Sequence, residues 1–395
     1  MTETTTRPGA DAAWTARAQR LSSLLAERGD LRDDAWKAAV AAVPRHRLVP
    51  AAYRQDTTTG AWRPVDIASD EGMELVYSPE TLITALEDRG GHQVAASSST
   101  KPDLMLRMLE VLDVHNGHRV LEIGTGTGYN AALLSHRLGQ ANVFSVDIDS
   151  KLVDAARRRL AEIGYHPTLA AVDGVDGLPE HAPYDRIIAT CSVPTVPWSW
   201  ARQLAPGGRM LVDLKVNDTA GNLVDLRRLG DRAEGRFTAR WATFMTMRHH
   251  DIGDTAPNSA PRAEGAATRV TTAPPQPWWS GRVVWFLAQF ALPAGVGIGM
   301  RLDPDTRQPT AGMLSASDGS WARIELAEHD GLRQVTEAGP TPLWAAVERA
   351  HQEWTELGEP DWPRLGVTVT HDRQWAWLDD PAGPRTWPIS ATVSG

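Results

Sequence analysis

Between residues 101 and 215 the apolar positions switch repeatedly between two periods. Met105, Met108, Leu109 and Leu112 recur at i, i+3, i+4 and i+7, which predicts a helix over Lys101–Val114 with Pro102 in its first turn. Arg119–Ile123, Asn142–Asp147, Pro167–Val172, Arg186–Thr190 and Arg209–Leu214 are instead short apolar runs bounded by turn residues, the pattern of buried strands. Ala131–Leu134 opens a helix between the first two runs, and Val153, Ala156, Leu160 and Ile163 form one face of another over Lys151–Ile163. Strand alternating with helix predicts a doubly wound α/β sheet. Upstream, Leu21, Leu24 and Leu25 predict a helix over Trp14–Arg28, Asp34–Val43 is a second helical stretch, and residues 53–92 read as loop mixed with strand.

Downstream the rhythm changes. Residues 251–277 lose their bulky apolar positions to Pro, Ala, Thr and Gly and read as a linker. The uncharged stretch Val283–Met300 raises the question of a membrane helix, but Gln289, Pro293 and glycines 295, 297 and 299 interrupt it, so we expect one or two buried strands and no membrane span. Arg364–Thr370 and Gln374–Leu378 predict strands, Leu343–Leu357 a helix. The expected organisation is a disordered tail over 1–12, an α/β domain over 13–250, the linker over 251–277 and an α+β domain over 278–395. Ten of the 16 tryptophans lie in that last part, either as core or as an aromatic surface that holds a peptide.

The first strand ends in Glu122-Ile-Gly-Thr-Gly-Thr-Gly-Tyr129, and that turn reads as a nucleoside site. Gly124, Gly126 and Gly128 permit positive φ and close backbone approach, and a helix N-terminus follows directly. The spacing misses G-x-G-x-x-G, whose last glycine would fall on Tyr129, so no pyrophosphate need be cradled. S-adenosylmethionine fits instead, its ammonium suited to a nearby carboxylate such as Glu122. Asp147 ends the second strand 19 residues after Gly128 and is the ribose candidate, with Asp149 the fallback. Thr125, Tyr129 and Ile148 flank these positions, and Asp173-Gly174, at the end of the third strand, is assigned to the adenine rim.

With 395 residues the chain exceeds one ordinary core, in keeping with two domains. A net charge of −9 without a dense basic stripe argues against a nucleic-acid partner. The single cysteine, Cys191, excludes an internal disulfide and cysteine metal sites, the histidines show no ligand spacing, and we expect no metal. The N-terminal residues carry no signal pattern, so a cytoplasmic location is expected.

Several separated segments carry a resemblance: Ala42-Val-Pro-Arg-His-Arg-Leu-Val-Pro50, Ser98-Ser-Thr-Lys-Pro102, Val120–Tyr129, Asp173-Gly174 through His181-Ala-Pro-Tyr-Asp185, and Gln203-Leu-Ala-Pro-Gly-Gly-Arg209. In order over roughly residues 15–215 they resemble the protein-L-isoaspartate O-methyltransferases, whose active-site signature is Thr-Ile-Ser followed one residue later by Pro. The resemblance implies that Thr100 stands for the acceptor-side serine and Ser98 for the threonine, with Ser99 between them and Lys101 in a place more commonly Gln or Ala. It implies S-adenosylmethionine as cofactor and S-adenosylhomocysteine as product.

The tryptophan-rich part has no place in the shorter repair enzymes. The combination resembles the subfamily that modifies ribosomally made peptides such as graspetides, lanthipeptides and lasso peptides. That implies methylation of an aspartate in a modified, macrocyclic precursor peptide and closure of the ester to an aspartimide. Residues 278–395 are then expected to bind the peptide. Repair of isoaspartyl residues shares every core motif, and a non-catalytic precursor-binding protein is the reading of another class.

Overall fold

The computed structural model describes residues 8–56, 59–217, 219–249 and 265–390, with side chains from Trp14 onward. Three helices open the chain: α1 (Pro8–Glu27), α2 (Asp34–Ala42) and α3 (Arg45–Leu48). Asp33 caps α2 by accepting from the Ala35 and Trp36 amides at 2.8 and 3.1 Å. The disordered tail expected over 1–12 lies outside the described residues for 1–7, whereas the backbone of 8–12 belongs to α1.

Next come β1 (Ala52–Gln55), β2 (Trp62–Val65), α4 (Asp70–Val76), β3 (Leu82–Arg89) and β4 (His92–Ser99). Their strands form a four-stranded sheet in the order β2-β1-β3-β4, which the sequence showed only as mixed loop and strand. Helix α5 (Pro102–Val111) leads into the predicted alternation: β5 (Val120–Ile123), α6 (Tyr129–Leu138), β6 (Val143–Asp147), α7 (Ser150–Glu162), β7 (Thr168–Ala171), β8 (Tyr184–Val193), α8 (Trp198–Gln203) and β9 (Leu204–Asn217). These strands run parallel in the order β9-β8-β5-β6-β7. The order reverses at β5, and a ligand crevice belongs at the carboxyl ends of the strands around such a point.

The remaining chain departs from the two-module expectation. Antiparallel β10 (Ala220–Leu229) and β11 (Arg232–Phe237) extend the sheet beyond β9. It does not stop there: β17 (Leu365–Val369) pairs with β11 over Ala233–Arg236, followed by β18 (Gln374–Leu378) and β19 (Thr386–Ile389). The end of the chain thus completes one ten-stranded sheet rather than standing apart from it. Part of the predicted linker is also regular structure. β12 (Ala267–Thr271) joins β13 (Gly297–Leu302), β14 (Pro309–Ser315), β15 (Trp321–Glu325) and β16 (Arg333–Ala338) in a five-stranded sheet ordered β12-β16-β15-β14-β13. Residues 251–264 of that linker lie outside the described residues.

Val283–Met300 corrects another expectation. After the short α9 (Pro277–Ser280), residues Arg282–Ala288 form helix α10, and only Gly297 onward is strand. Val283 through Ala288 are buried on every side of α10, and such a helix has no amphipathic period to separate it from a buried strand. None of the helices in the described residues is long and apolar enough to cross a membrane.

Alternating strand residues feed two cores. Val120, Ile188 and Leu211 face a layer made by α1, α2, α5, α6 and α7. Leu121, Ile187 and Met210 face the opposite layer, where α10, α11 (Leu343–Glu356) and the five-stranded sheet pack. Trp278, Trp285, Trp321, Trp344, Trp362, Trp377 and Trp387 are all buried, and Trp279 is the one tryptophan of the C-terminal part that is largely exposed. These seven indoles are core.

Candidate active site

A cleft of about 1110 Å³ opens at the carboxyl ends of β5, β6 and β8. The glycine turn forms its floor. Gly124 has φ +100°, and a Cβ there would sit 2.5 Å from Thr190 Oγ1, which donates to the Ile123 and Gly124 carbonyls at 3.1 and 2.9 Å. Gly126 (φ +51°) lies against β4, and Gly128 (φ +86°) starts α6. Asp147 ties strand to turn: Oδ2 accepts from the Gly126 amide at 2.9 Å and Oδ1 from the Asp149 amide at 3.2 Å. Ile148 lines the cleft beside it. Asp149, the fallback for ribose, accepts from Lys151 and Leu152 amides as the cap of α7 and does not line the cleft.

Glu122 lies beneath the turn, buried, with Oε1 accepting from Asn130 Nδ2 and Oε2 from Ser145 Oγ, both at 2.7 Å. The Ser145 hydroxyl also meets Thr125 Oγ1 at 2.7 Å. Burial, with a smaller push from Asp147, raises the Glu122 carboxyl to about 7. Its sign is definite: the native pKa lies above the unfolded value, so this group's penalty is absent below about pH 4.5, grows as pH rises to about 7 and stays constant above that. A bound cation favours the ionised form. Cofactor binding at about pH 6 is therefore expected to release a proton, and the release should vanish well above pH 7. Calorimetry in buffers of different ionisation enthalpy reads this directly, and equal heats at about pH 6 would show that Glu122 does not sense the cofactor charge.

The residues that the resemblance assigned to the acceptor lie on β4 and just after it. Ser98, Ser99 and Thr100 all line the cleft, and the buried Ser99 hydroxyl accepts from Arg45 Nη2 at 3.2 Å. Arg45, which the sequence reading quoted in a motif but gave no role, is fully buried. It donates to Val76 O at 2.6 Å, Ser78 O at 3.2 Å and Thr100 O at 3.4 Å, and its guanidinium stands 5.3 Å from the centre of the Tyr129 ring.

Three predicted residues are not brought into the cleft lining: Lys101, Asp173 and Gly128, the last of which faces Ala156 and Leu160 of α7. Lys101 precedes α5 with its Nζ 3.1 Å from Asp103, half-exposed and outside the cleft lining. Asp173 caps the Gly174–Asp176 turn and pairs with His249 at 3.0 Å, so only Gly174 of that dipeptide lines the cleft. A Cβ on Gly174 would lie 2.8 Å from Ile123 Cγ2.

Two walls had no sequence signal. One is the β3–β4 hairpin tip, Glu87 to His92; the other is Met245–His249, zippered to β8 through Ser192 and Met245 at 2.9 Å and Met247 and Ser192 at 2.8 Å. The buried Asp213, raised to about 6 mainly by burial, holds the second wall by accepting from the Phe244 amide at 2.8 Å, and its partner Lys215 donates to Phe244 O at 2.6 Å. Arg248 faces Glu87 across the mouth at 3.7 Å. Cys191 also lines the cleft; burial, then the carboxylates Asp147, Asp213 and Asp173, push its thiol up to about 12, which keeps it neutral. Among the described residues no group of three or more His, Cys, Asp or Glu side chains is arranged to hold a metal.

The groups of the cleft fit S-adenosylmethionine. The glycine cradle leaves no room for a Cβ at Gly124, Asp147 stands at the β6 end, and Asn130 carries a buried Oδ1 with no protein partner. Fold and site together define a class I S-adenosylmethionine-dependent methyltransferase, an enzyme of protein carboxyl O-methylation. The sequence model of the protein-L-isoaspartate(D-aspartate) O-methyltransferase family matches residues 16–240, and the chain belongs to that family. It is 36% identical over 213 residues to protein-L-isoaspartate O-methyltransferase 2 of Pelobacter propionicus, covering 53% of this chain and 80% of the relative. With the Methanosarcina mazei protein-L-isoaspartate O-methyltransferase it shares 34% identity over 198 residues, 49% of this chain and 70% of that one. A solved chain titled protein-L-isoaspartate O-methyltransferase superimposes with a TM-score of 0.53 at 21% identity, covering 92% of this chain and 100% of its own, so the fold beyond residue 240 has a counterpart there.

If Asp147 takes the ribose as the sequence assigned it, Asp147→Ala is expected to weaken cofactor binding by about 1–3 kcal/mol, because the Gly126 amide loses its acceptor along with the ribose hydroxyls. Calorimetry with S-adenosylhomocysteine checks it, and an unchanged Kd would remove Asp147 from the binding model.

Proposed function

We propose that this enzyme methylates an aspartate side-chain carboxylate in a constrained, ribosomally made peptide, and that the ester then closes to an aspartimide. The observation that carries this reading is the origin of the acceptor wall. Met245–His249 lies just past the family match over 16–240, so the mouth of the cleft is built partly by residues outside the segment that the family model describes. The departure at Thr100-Lys101 from the Ser-x-Pro pattern points the same way.

Bound S-adenosylmethionine supplies a methyl group on a positively charged sulfonium, and transfer to a carboxylate oxygen leaves both partners neutral and moves no proton. The acceptor carboxyl, with a reference pKa near ~3.9, is ionised at neutral pH and needs no general base. The task left to the protein is placement. Ser98 and Thr100 donate to one carboxylate oxygen so that the other faces the glycine turn, and the surrounding walls strip water from it. In the aspartimide step the backbone nitrogen following the aspartate attacks the ester carbonyl, and its proton leaves with methoxide as methanol.

Repair of L-isoaspartyl residues is the second reading, favoured by the names of the relatives and served by the same cleft. Intact cofactor determinants count against a purely binding protein. Incubation with S-adenosylmethionine and, separately, an isoaspartyl test peptide and the cyclised peptide of its own gene neighbourhood distinguishes the two enzymatic readings by mass. Gain of a methyl group followed by loss of methanol on the cyclised peptide supports the proposal; brisk turnover of the isoaspartyl peptide alone establishes repair. Thr100→Ala is expected to lower kcat far more than cofactor affinity, since its hydroxyl touches acceptor rather than donor. Normal turnover in that variant would overturn the acceptor assignment.

A further inference from the structure

Strand β4 is the last strand of its sheet and pairs as a strand only with β3. Among the described residues, 94–98 make no backbone hydrogen bond to any other element. Six consecutive residues, Ala95 through Thr100, line the cleft. A strand that offers a face contributes alternate residues, so a continuous run means that β4 offers its edge. A Cβ on Gly126 would lie 3.7 Å from the Ser98 carbonyl oxygen, so the end of that edge comes up against the glycine turn.

Resting on the reading that the cleft takes a peptide carboxylate, we infer that the main chain of the acceptor peptide pairs with the free edge of β4 as an added strand, delivering its carboxylate at the Ser98–Thr100 end. The acceptor is the occupant because the edge runs into the residues that hold its reacting group, within one continuous cleft. Side chains at Ala95, Ala96, Ser97 and Ser98 are small enough for a second backbone to approach to the ~4.8 Å of paired strands. The register steps from Ser97 opposite Ala85 to Ala95 opposite Leu86, which leaves Ala96 as a bulge that bends the edge inside the cleft. Recognition of this kind reads backbone shape with little regard to side chains, and places alternate peptide side chains against the Met245–His249 wall.

The test uses the full-length enzyme saturated with S-adenosylhomocysteine and a fluorescent linear peptide with a central aspartyl or L-isoaspartyl residue. Single N-methylations are scanned along the peptide backbone, and binding is read by anisotropy. Affinity is expected to fall about tenfold at every second position and to change little between them, because only alternate amides face β4. Amide hydrogen exchange across residues 92–99 is expected to slow when the peptide binds. Effects without alternation, no binding of either peptide, or protection confined to 245–249 would each overturn the added strand. A peptide that binds with alternation yet gains no methyl group from S-adenosylmethionine would leave the pairing standing and sink the proposed function instead.

Discussion

A chain ending at Asp251 is expected to lose its cooperative fold, and cofactor binding with it. The truncation removes β17, the partner of β11 over Ala233–Arg236, and leaves that edge open in the middle of a ten-stranded sheet. It also strips one face of its cover. Phe237 packs edge-to-face on Phe286 at 5.4 Å and against Trp362 at 5.1 Å, while Trp278, Trp285 and Phe286 are buried in the core that continues into Leu121, Ile187 and Met210. Truncating one buried Phe or Trp to Ala costs about 3–5 kcal/mol, so losing several together exceeds the ~5–15 kcal/mol by which a native protein is stable. Near-ultraviolet circular dichroism and calorimetry with S-adenosylhomocysteine measure the outcome. A truncated chain that melts cooperatively and binds with the full-length Kd would show that the C-terminal share of this core is dispensable, and would restore an independent terminal module.

The sequence made the parallel half legible because two periods alternate cleanly there. Leu121 and Ile187 face one core while Val120 and Ile188 face the other, so the strands read as short continuous apolar runs, and the helices between them keep one polar side. The glycine turn was legible for a chemical reason, since three glycines in five residues at a strand end have few other uses. Long-range pairing left no such mark. Nothing in Leu365–Val369 says that its partner lies about 130 residues upstream, and the same alternation suits an edge of any sheet. Helix α10 hid because burial on all sides erases amphipathicity. Three candidate site residues stand outside the cleft lining for local reasons: a short acidic neighbour, Asp103, takes Lys101, a backbone turn takes Asp173, and Gly128 packs toward α7. The Met245–His249 wall fell beside the composition break at 251, where polarity suggested only a tether.

Arg45 is the residue whose importance the structure adds, and its replacement is the second large effect. In Arg45→Met the buried Val76 carbonyl, the half-buried Ser78 carbonyl, the Ser99 hydroxyl and the Thr100 carbonyl all lose a donor, while the Tyr129 ring loses the cation beside it. Leaving a buried acceptor unpaired costs about 1–3 kcal/mol, and part of the loss is offset because a solitary buried charge is removed as well, so a net loss of about 2–5 kcal/mol is expected. Stability is the smaller consequence. Arg45 is what joins the Val76–Ser78 turn to the Ser99–Thr100 segment and to the first residue of α6, so its loss frees the acceptor hydroxyls from the glycine turn. Misplacement by about 1 Å can lower turnover on the order of a hundredfold. Measured well below both melting temperatures, kcat is therefore expected to fall at least tenfold while the S-adenosylhomocysteine Kd changes much less, because Asp147 and the glycine turn keep their own bonds. Lysine carries the charge but lacks the fork that reaches two sides at once, so Arg45→Lys is expected to recover stability more than turnover. Equal recovery of both in Arg45→Lys, or a kcat loss matched by an equal loss of cofactor affinity in Arg45→Met, would show that Arg45 supports the fold without positioning the acceptor.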